Sequence, residues 1–130
     1  MAKVIGLGGI FIQCADVAAT KEWYKKVIGD APGEYGGWSF VQSDAAKTFP
    51  KGAQSIFAPF EKSDYFKPSE LPFMINLMVN DLEGVLKRLE AEGIEQVQPS
   101  ESYEYGKFAW LMDPDGRKVE LWEPVEASEA

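Results

Sequence analysis

The pattern of apolar and polar positions predicts two amphipathic helices, each introduced by an aspartate. After Asp16, apolar residues recur on one helical face until a glycine, and the same sequence of features follows Asp81. Aspartate is a favoured N-cap because its side chain accepts hydrogen bonds from the first turn, and glycine commonly ends a helix. We therefore predict helices within residues 17–29 and 82–93.

Short runs of alternating or continuous apolar residues surround both helices and predict strands. One run precedes each helix, at 10–15 and 73–80. The runs after the first helix are GGWSFVQ and AQSIFAPF; those after the second are the segment around Val97, YEYGKFAWLM and RKVELWE. Asp-Pro-Asp-Gly joins the last two as a hairpin turn, so its carboxylates are predicted to be turn residues.

Both halves of the chain thus resemble each other and read as βαβββ modules. We place the first module at about 4–60, a proline-containing linker at about 61–71 and the second module at about 72–124, with an acidic tail at 125–130. The modules form one domain over residues 1–130. The predicted class is α+β, in which the two βαβββ modules form a curved mixed sheet with helices outside and a concave cavity inside.

The duplicated pattern, together with ADVAATKEWYKKVIG and DPDGRKVELWEP, resembles the vicinal-oxygen-chelate superfamily over roughly residues 5 to 124. This superfamily includes glyoxalase I, extradiol dioxygenases and bleomycin-resistance proteins. The resemblance implies the fold but not one function, because isomerases, dioxygenases, transferases and binding proteins all share this fold. It also implies a homodimer.

Metal enzymes of this superfamily carry His, Gln or Glu ligands on the first and last strands of each module. The resemblance places these positions at Gly9, at Met74, at Ser55 or Gln54, and at Glu120, and the sequence contains no histidine. Because a divalent catalytic site normally takes three or more imidazole, carboxylate or thiolate ligands, we predict no metal and no other cofactor. Gln13, Asn76 and Glu120 could supply oxygen ligands for Mg²⁺ or Mn²⁺ as the alternative.

Strand alternation places Val119 and Leu121 toward the helices, and Lys118, Glu120 and Trp122 toward the cavity. A carboxylate at this position has two interpretations. In the first, it is a remnant of the superfamily's ligand set that is partly hydrated or paired with Lys118 or Lys107. In the second, it is an anchor or general base for a ligand.

The same alternation predicts further ligand-binding side chains, and a tyrosine beside the glycine loop could cover the cavity mouth. The predicted set is Phe11, Gln13, Phe57, Met74, Asn76, Met78, Trp122 and Tyr105, with Glu120 as the candidate catalytic residue. Methionines and aromatic rings with a few amides suit a flat, partly apolar ligand. Alternatively, these side chains fill the cavity or contact a partner subunit.

Composition narrows the choice of partner and compartment. The 13 basic and 21 acidic residues give a net charge of −8 without a basic cluster, which argues against nucleic acid and favours cationic ligands at long range. Cys14 is the single cysteine and has no histidine to activate it, so we expect neither an intrachain disulfide nor a catalytic thiol. We predict a cytoplasmic protein without a membrane segment.

Three functions follow from these observations. The first is a metal-free binder of a small aromatic or cationic molecule, similar to the bleomycin-resistance branch. The second is a lyase or isomerase of the glyoxalase type that uses Glu120 as general base, although the sequence shows no group to stabilise an enolate. The third is a non-catalytic dimerising module whose cavity is filled.

Overall fold

The computed structural model describes residues 1–125, so the predicted acidic tail lies outside the described residues apart from its first position. The helices and strands are α1 Val17–Ile28, α2 Gln42–Thr48, β1 Ile75–Met78, α3 Leu82–Ala91, β2 Gln98–Tyr103, β3 Gly106–Met112 and β4 Lys118–Pro124. The strands form one curved sheet in the order β1-β4-β3-β2, with β1 parallel to β4 and the other pairs antiparallel. The predicted α+β class with a curved mixed sheet is confirmed.

Both predicted aspartate caps are confirmed. The Asp16 carboxylate accepts a hydrogen bond of 3.1 Å from the amide of Ala19, and Asp81 does the same for Gly84 at 3.1 Å. Gly29 ends α1 with a φ of 88°, a left-handed conformation that favours glycine. In the described part of the chain, no helix is long and apolar enough to cross a membrane.

The hydrophobic core lies between α1, α3 and one face of the sheet. Side chains from β3 and β4 that alternate toward the helices are completely buried, and the core as a whole comprises Tyr24, Val27, Ile75, Leu82, Leu89, Ala109, Leu111, Val119 and Leu121. The predicted facing of Val119 and Leu121 is therefore confirmed. Their neighbours Lys118, Glu120 and Trp122 face the opposite side of the sheet, because side chains alternate along a strand.

The strands predicted in the first half do not form in the described chain. Residues 10–15 and 53–60 have no regular structure, and GGWSFVQ ends where α2 begins at Gln42. A strand needs a neighbouring strand for its hydrogen bonds. Within residues 1–125, all strand pairing is among the four strands of the second half, so the first-half segments have no neighbouring strand. The tendency of these segments to form strands is lowered further by glycine and proline. Glycines precede the first run, Gly36 has a left-handed φ of 92°, and Pro59 lies in the last run.

A buried ion pair joins the β3–β4 hairpin to α1. Arg117 Nη1 lies 2.8 Å from Asp113 Oδ2, and the same carboxylate oxygen accepts a hydrogen bond of 2.6 Å from the Tyr24 hydroxyl. Asp113 Oδ1 accepts hydrogen bonds from the amides of Asp115 and Arg117, as expected of a turn aspartate. The second guanidinium nitrogen donates to the Gln13 carbonyl. The Asp113–Arg117 pair thus anchors the hairpin, α1 and the N-terminal segment.

Candidate functional site

Glu120 lies at the centre of the sheet face that points away from the helices. The strand register places it between Asn76 on β1 and Trp110 on β3. Asn76 Nδ2 donates to Glu120 Oε1 at 2.7 Å, and Trp110 Nε1 donates to Oε2 at 2.8 Å. The Glu120 residue is only 7% exposed, so this carboxylate is buried with hydrogen-bond partners, as buried polar groups require.

A third donor to Glu120 comes from the segment between the two halves of the chain. The Tyr65 hydroxyl donates to Glu120 Oε2, across 55 residues of sequence. Burial raises the pKa of the Tyr65 hydroxyl, and the hydrogen bond to Glu120 and the charge of that carboxylate raise it further. Tyr65 therefore stays protonated across the ordinary pH range and acts as a permanent donor.

Lys118 is the second charged side chain buried on this face, and it is held mainly by oxygen acceptors. Its Nζ donates to the Tyr65 carbonyl at 2.7 Å and to Gln98 Oε1 at 2.9 Å. The same nitrogen lies 5.3 Å from the ring centroid of Tyr65 and 5.7 Å from that of Trp110. Burial lowers the pKa of Lys118, against the opposing effect of Glu120 and Glu101.

An aromatic slot opens beside this network. We use the name aromatic slot for a pocket of about 130 Å³ lined by Tyr65, Glu101, Tyr103, Tyr105, Phe108 and Trp110. The Tyr103 and Tyr105 rings are parallel, with centroids 5.1 Å apart and an interplanar angle of 4°. Phe108 and Trp110 are stacked at 6.3 Å, and Tyr65 meets Trp110 edge-on at 90°. Five rings and one carboxylate thus line the slot, which opens to solvent beside the exposed Tyr103 and Tyr105.

The residues do not fit the metal site that the superfamily would imply. Both Glu120 oxygens already accept hydrogen bonds, and Gly9 and Met74 bring no imidazole or carboxylate to the other ligand positions. Across residues 1–125, no group of three or more His, Cys, Asp or Glu side chains is placed to hold a metal ion. The chemistry of these donors suits a hydrogen-bonded anchor better than a metal centre.

Several of the predicted site residues lie where alternation placed them. Asn76 and Met78 pair with Glu120 and Trp122 across β1 and β4, on the face opposite the core. Tyr105 lines the aromatic slot and keeps 66% of its surface exposed, at the slot mouth. Glu120 pairs with neither predicted lysine in a direct contact, because Lys118 binds other acceptors and Lys107 lies 3.9 Å from Glu123 instead.

The other predicted residues do not join this group. Phe11 and Phe57 are 95% and 82% exposed, and the Gln13 side chain is also on the surface. Each lies in a segment where the predicted strand is not formed, so alternation no longer fixes its direction. Met74 is half-buried and directly precedes β1. Their predicted ligand-binding role stays a prediction.

Five of the residues that line the slot are outside the predicted ligand-binding set. They are Tyr65, Glu101, Tyr103, Phe108 and Trp110. A hairpin centred on DPDG pairs position 110 with 120 and position 108 with 122, so its register could have identified the two β3 residues. The β2–β3 pairing is shifted by a bulge between Gln98 and Glu101, and no local pattern indicates the contact from the linker.

A larger groove runs along α3, on the helix side of the sheet. It has a volume of about 570 Å³ and is lined by Glu83, Leu86, Lys87, Glu90, Gly93, Ile94, Glu95 and Gln96. It contains no aromatic ring and none of the residues around Glu120. The aromatic slot is therefore the better candidate site, since stacking rings and a few polar groups are what small-ligand pockets usually offer.

Comparisons with known proteins agree with this architecture. A protein from the mobile metagenome of V. pseudocholerae is similar in structure, with a TM-score of 0.59 at 16% identity over 95% of this chain and 97% of that chain. A glyoxalase/dioxygenase from Nostoc punctiforme is similar with a TM-score of 0.55 at 13% identity, over 97% and 99%. Both likenesses concern the fold alone.

Sequence comparison identifies the family. The search of curated proteins gave no significant match. The family described as a glyoxalase-like domain matches residues 9–122, which is most of the chain. The chain therefore belongs to the glyoxalase-like domain family, within the vicinal-oxygen-chelate superfamily.

Proposed function

We propose that this protein is a metal-free binder of a small aromatic or cationic molecule, which it holds in the aromatic slot. The observation that carries the proposal is the convergence of five rings and a carboxylate around one slot, next to a fully hydrogen-bonded polar network. The volume of about 130 Å³ is below the roughly 300–1,000 Å³ of drug-sized sites. One ring or one head group would enter, with the remainder of the ligand outside.

The alternative, a lyase or isomerase with Glu120 as general base, has less support. A general base needs a free acceptor directed at the substrate, whereas Tyr65, Asn76 and Trp110 already donate to Glu120. Glu120 is also outside the set of residues that line the slot. We therefore assign it the role of an anchor that fixes the Trp110 and Tyr65 rings.

Tyr105 provides the clearest test because it is a slot residue that stacks on Tyr103 while remaining largely exposed. We expect benzyl alcohol and phenyltrimethylammonium each to produce a saturable change in tryptophan fluorescence. Tyr105→Ala should weaken both by roughly threefold to tenfold, the equivalent of one lost aromatic contact. Tyr35→Ala removes an equally exposed tyrosine outside the slot and should change neither. Equal affinities in wild type and Tyr105→Ala would contradict the placement of the ligand.

The remaining expectations stay predictions. A homodimer is supported by β1, which lies at one edge of the sheet, and by exposed apolar side chains in the first half such as Ile5, Phe11 and Phe57. A second copy could pair along this edge, and sedimentation would reveal the dimer. The cytoplasmic location and the absence of a cofactor likewise rest on the sequence and on the donor chemistry described above.

A further inference from the structure

We infer that the group bound in the aromatic slot is a methylated ammonium, such as a trimethylammonium head group. This inference rests on the proposed function and specifies the ligand class within it. The slot presents aromatic faces and a single carboxylate, and no lysine or arginine lines it. A cation over the faces of Trp, Tyr and Phe is attracted by the negative potential of the rings.

The arrangement of the rings suits a compact cation. Phe108 lies 6.2 Å from Tyr103 and 5.9 Å from Tyr105, at interplanar angles of 56° and 58°. Tyr65 is perpendicular to Trp110 on the other side. The Tyr103–Tyr105 pair is thus inclined to Phe108, and Tyr65 to Trp110, so ring faces and edges border the slot on more than one side, whereas a single flat ligand would stack on one pair only.

The charges around the slot also favour a cation. Glu101 lies in the slot wall, and Glu120 lies behind it among Trp110 and Tyr65. Within residues 1–125, the buried Lys118 is a cation close to the slot, and its ammonium lies near the Tyr65 and Trp110 rings. The two carboxylates that act on it exceed its charge by one, so the local balance remains negative. An anionic ligand would meet Glu101 directly and enter against the net charge of −8.

Methylation follows from the small number of free acceptors. The Glu101 carboxylate accepts a hydrogen bond from the Tyr103 hydroxyl, and the Tyr65 hydroxyl donates to Glu120. A primary ammonium carries three donors that must be satisfied when it leaves water. The slot wall offers one carboxylate, which already accepts from Tyr103, and three tyrosine hydroxyls, two of which already donate to carboxylates. A trimethylammonium group has no donors and presents methyl groups to the rings, so it loses no hydrogen bond on entry.

The test compares choline with its neutral isostere, 3,3-dimethylbutan-1-ol, by tryptophan fluorescence. We expect choline to bind roughly threefold to tenfold more tightly, in line with a cation over aromatic rings that are partly exposed. Glu101→Gln should weaken choline severalfold and leave the alcohol unchanged. Glu104→Gln removes the same charge from the exposed neighbouring turn, outside the slot, and should have little effect on either ligand.

The outcomes separate this inference from the proposed function. If the alcohol binds as tightly as choline, or if Glu101→Gln leaves choline binding unchanged, the cation assignment is overturned and a slot for neutral organic molecules remains. If choline, the alcohol, benzyl alcohol and phenyltrimethylammonium all fail to bind, both the inference and the proposed function are overturned. Circular dichroism of Glu101→Gln establishes that the exposed substitution has not altered the fold.

Discussion

Replacement of Asp113 by asparagine is expected to destabilise the folded chain by about 3 kcal/mol, because it removes the closer of the two carboxylates that pair with the buried Arg117 guanidinium and leaves only Asp115 at 3.4 Å. Asp113 and Arg117 are each only 5% exposed, and the ion pair at 2.8 Å lies between the hairpin and α1. The asparagine also places an amide group near the Tyr24 hydroxyl, which in the wild-type protein donates a hydrogen bond to the Asp113 carboxylate. Urea unfolding followed by circular dichroism measures the loss.

The same variant should change the dependence of stability on pH. Burial alone would raise the pKa of Asp113, but donors from Tyr24, Arg117 and the backbone outweigh it and hold the pKa below its usual value. A carboxyl with a lowered folded pKa stabilises the fold above the unfolded pKa of about 3.9, and this stability is lost as pH falls through the folded pKa. The free energy of unfolding should therefore fall less steeply with decreasing pH in Asp113→Asn than in the wild-type protein.

Asp64→Asn is the matched control for these measurements, since Asp64 is exposed and undergoes the same chemical change. It should alter the free energy of unfolding by less than about 0.5 kcal/mol. The result that would contradict this account is an Asp113→Asn variant as stable as the control, with the same loss of stability at low pH as wild type. The buried ion pair would then not anchor the hairpin.

Removal of the Glu120 side chain is the second substitution with a large expected effect. Glu120→Ala withdraws the acceptor from Trp110, Asn76 and Tyr65 and the compensating charge from Lys118, at a cost of about 2–4 kcal/mol. Glu120→Gln removes the same charge but keeps one acceptor oxygen, and Asn76 can turn its amide to meet the new donor, so a smaller loss of about 1–2 kcal/mol is expected. Urea unfolding again gives both values.

Ligand binding separates the anchor role of Glu120 from a catalytic role. Because Glu120 does not line the aromatic slot, Glu120→Gln should bind phenyltrimethylammonium within a few fold of wild type. Glu22→Gln is the control on the exposed surface of α1 and should match wild type in both stability and binding. A Glu120→Gln variant of unchanged stability that lost binding entirely would show that the carboxylate contacts the ligand directly.

The sequence predicted the parts of the fold that local chemistry determines. The caps Asp16 and Asp81 need only a side chain of the right length before an apolar periodic run, and DPDG needs only its own turn chemistry. Alternation then fixed the two faces of β4, so Glu120 could be assigned to the side opposite the core. These signals act over a few residues.

The remaining features depend on contacts between distant segments. Tyr65 reaches Glu120 from a linker that has no periodic pattern. Asp113 accepts a hydrogen bond from Tyr24, which lies 89 residues away in the sequence, and Arg117 donates to the Gln13 carbonyl, which lies 104 residues away. The first-half runs have strand-like composition, but composition does not supply a neighbouring strand. Their exposed apolar side chains are consistent with pairing outside a single described chain.

The most direct measurement of the central claim is a titration with phenyltrimethylammonium, followed by tryptophan fluorescence, before and after exhaustive dialysis against EDTA. A metal-free aromatic slot predicts the same saturable binding in both samples, and no tightening when Ni²⁺, Zn²⁺, Mn²⁺ or Mg²⁺ is added back. Binding that disappears after EDTA and returns with one of these ions would contradict the account, because Glu120 would then be a metal ligand and not a hydrogen-bonded anchor.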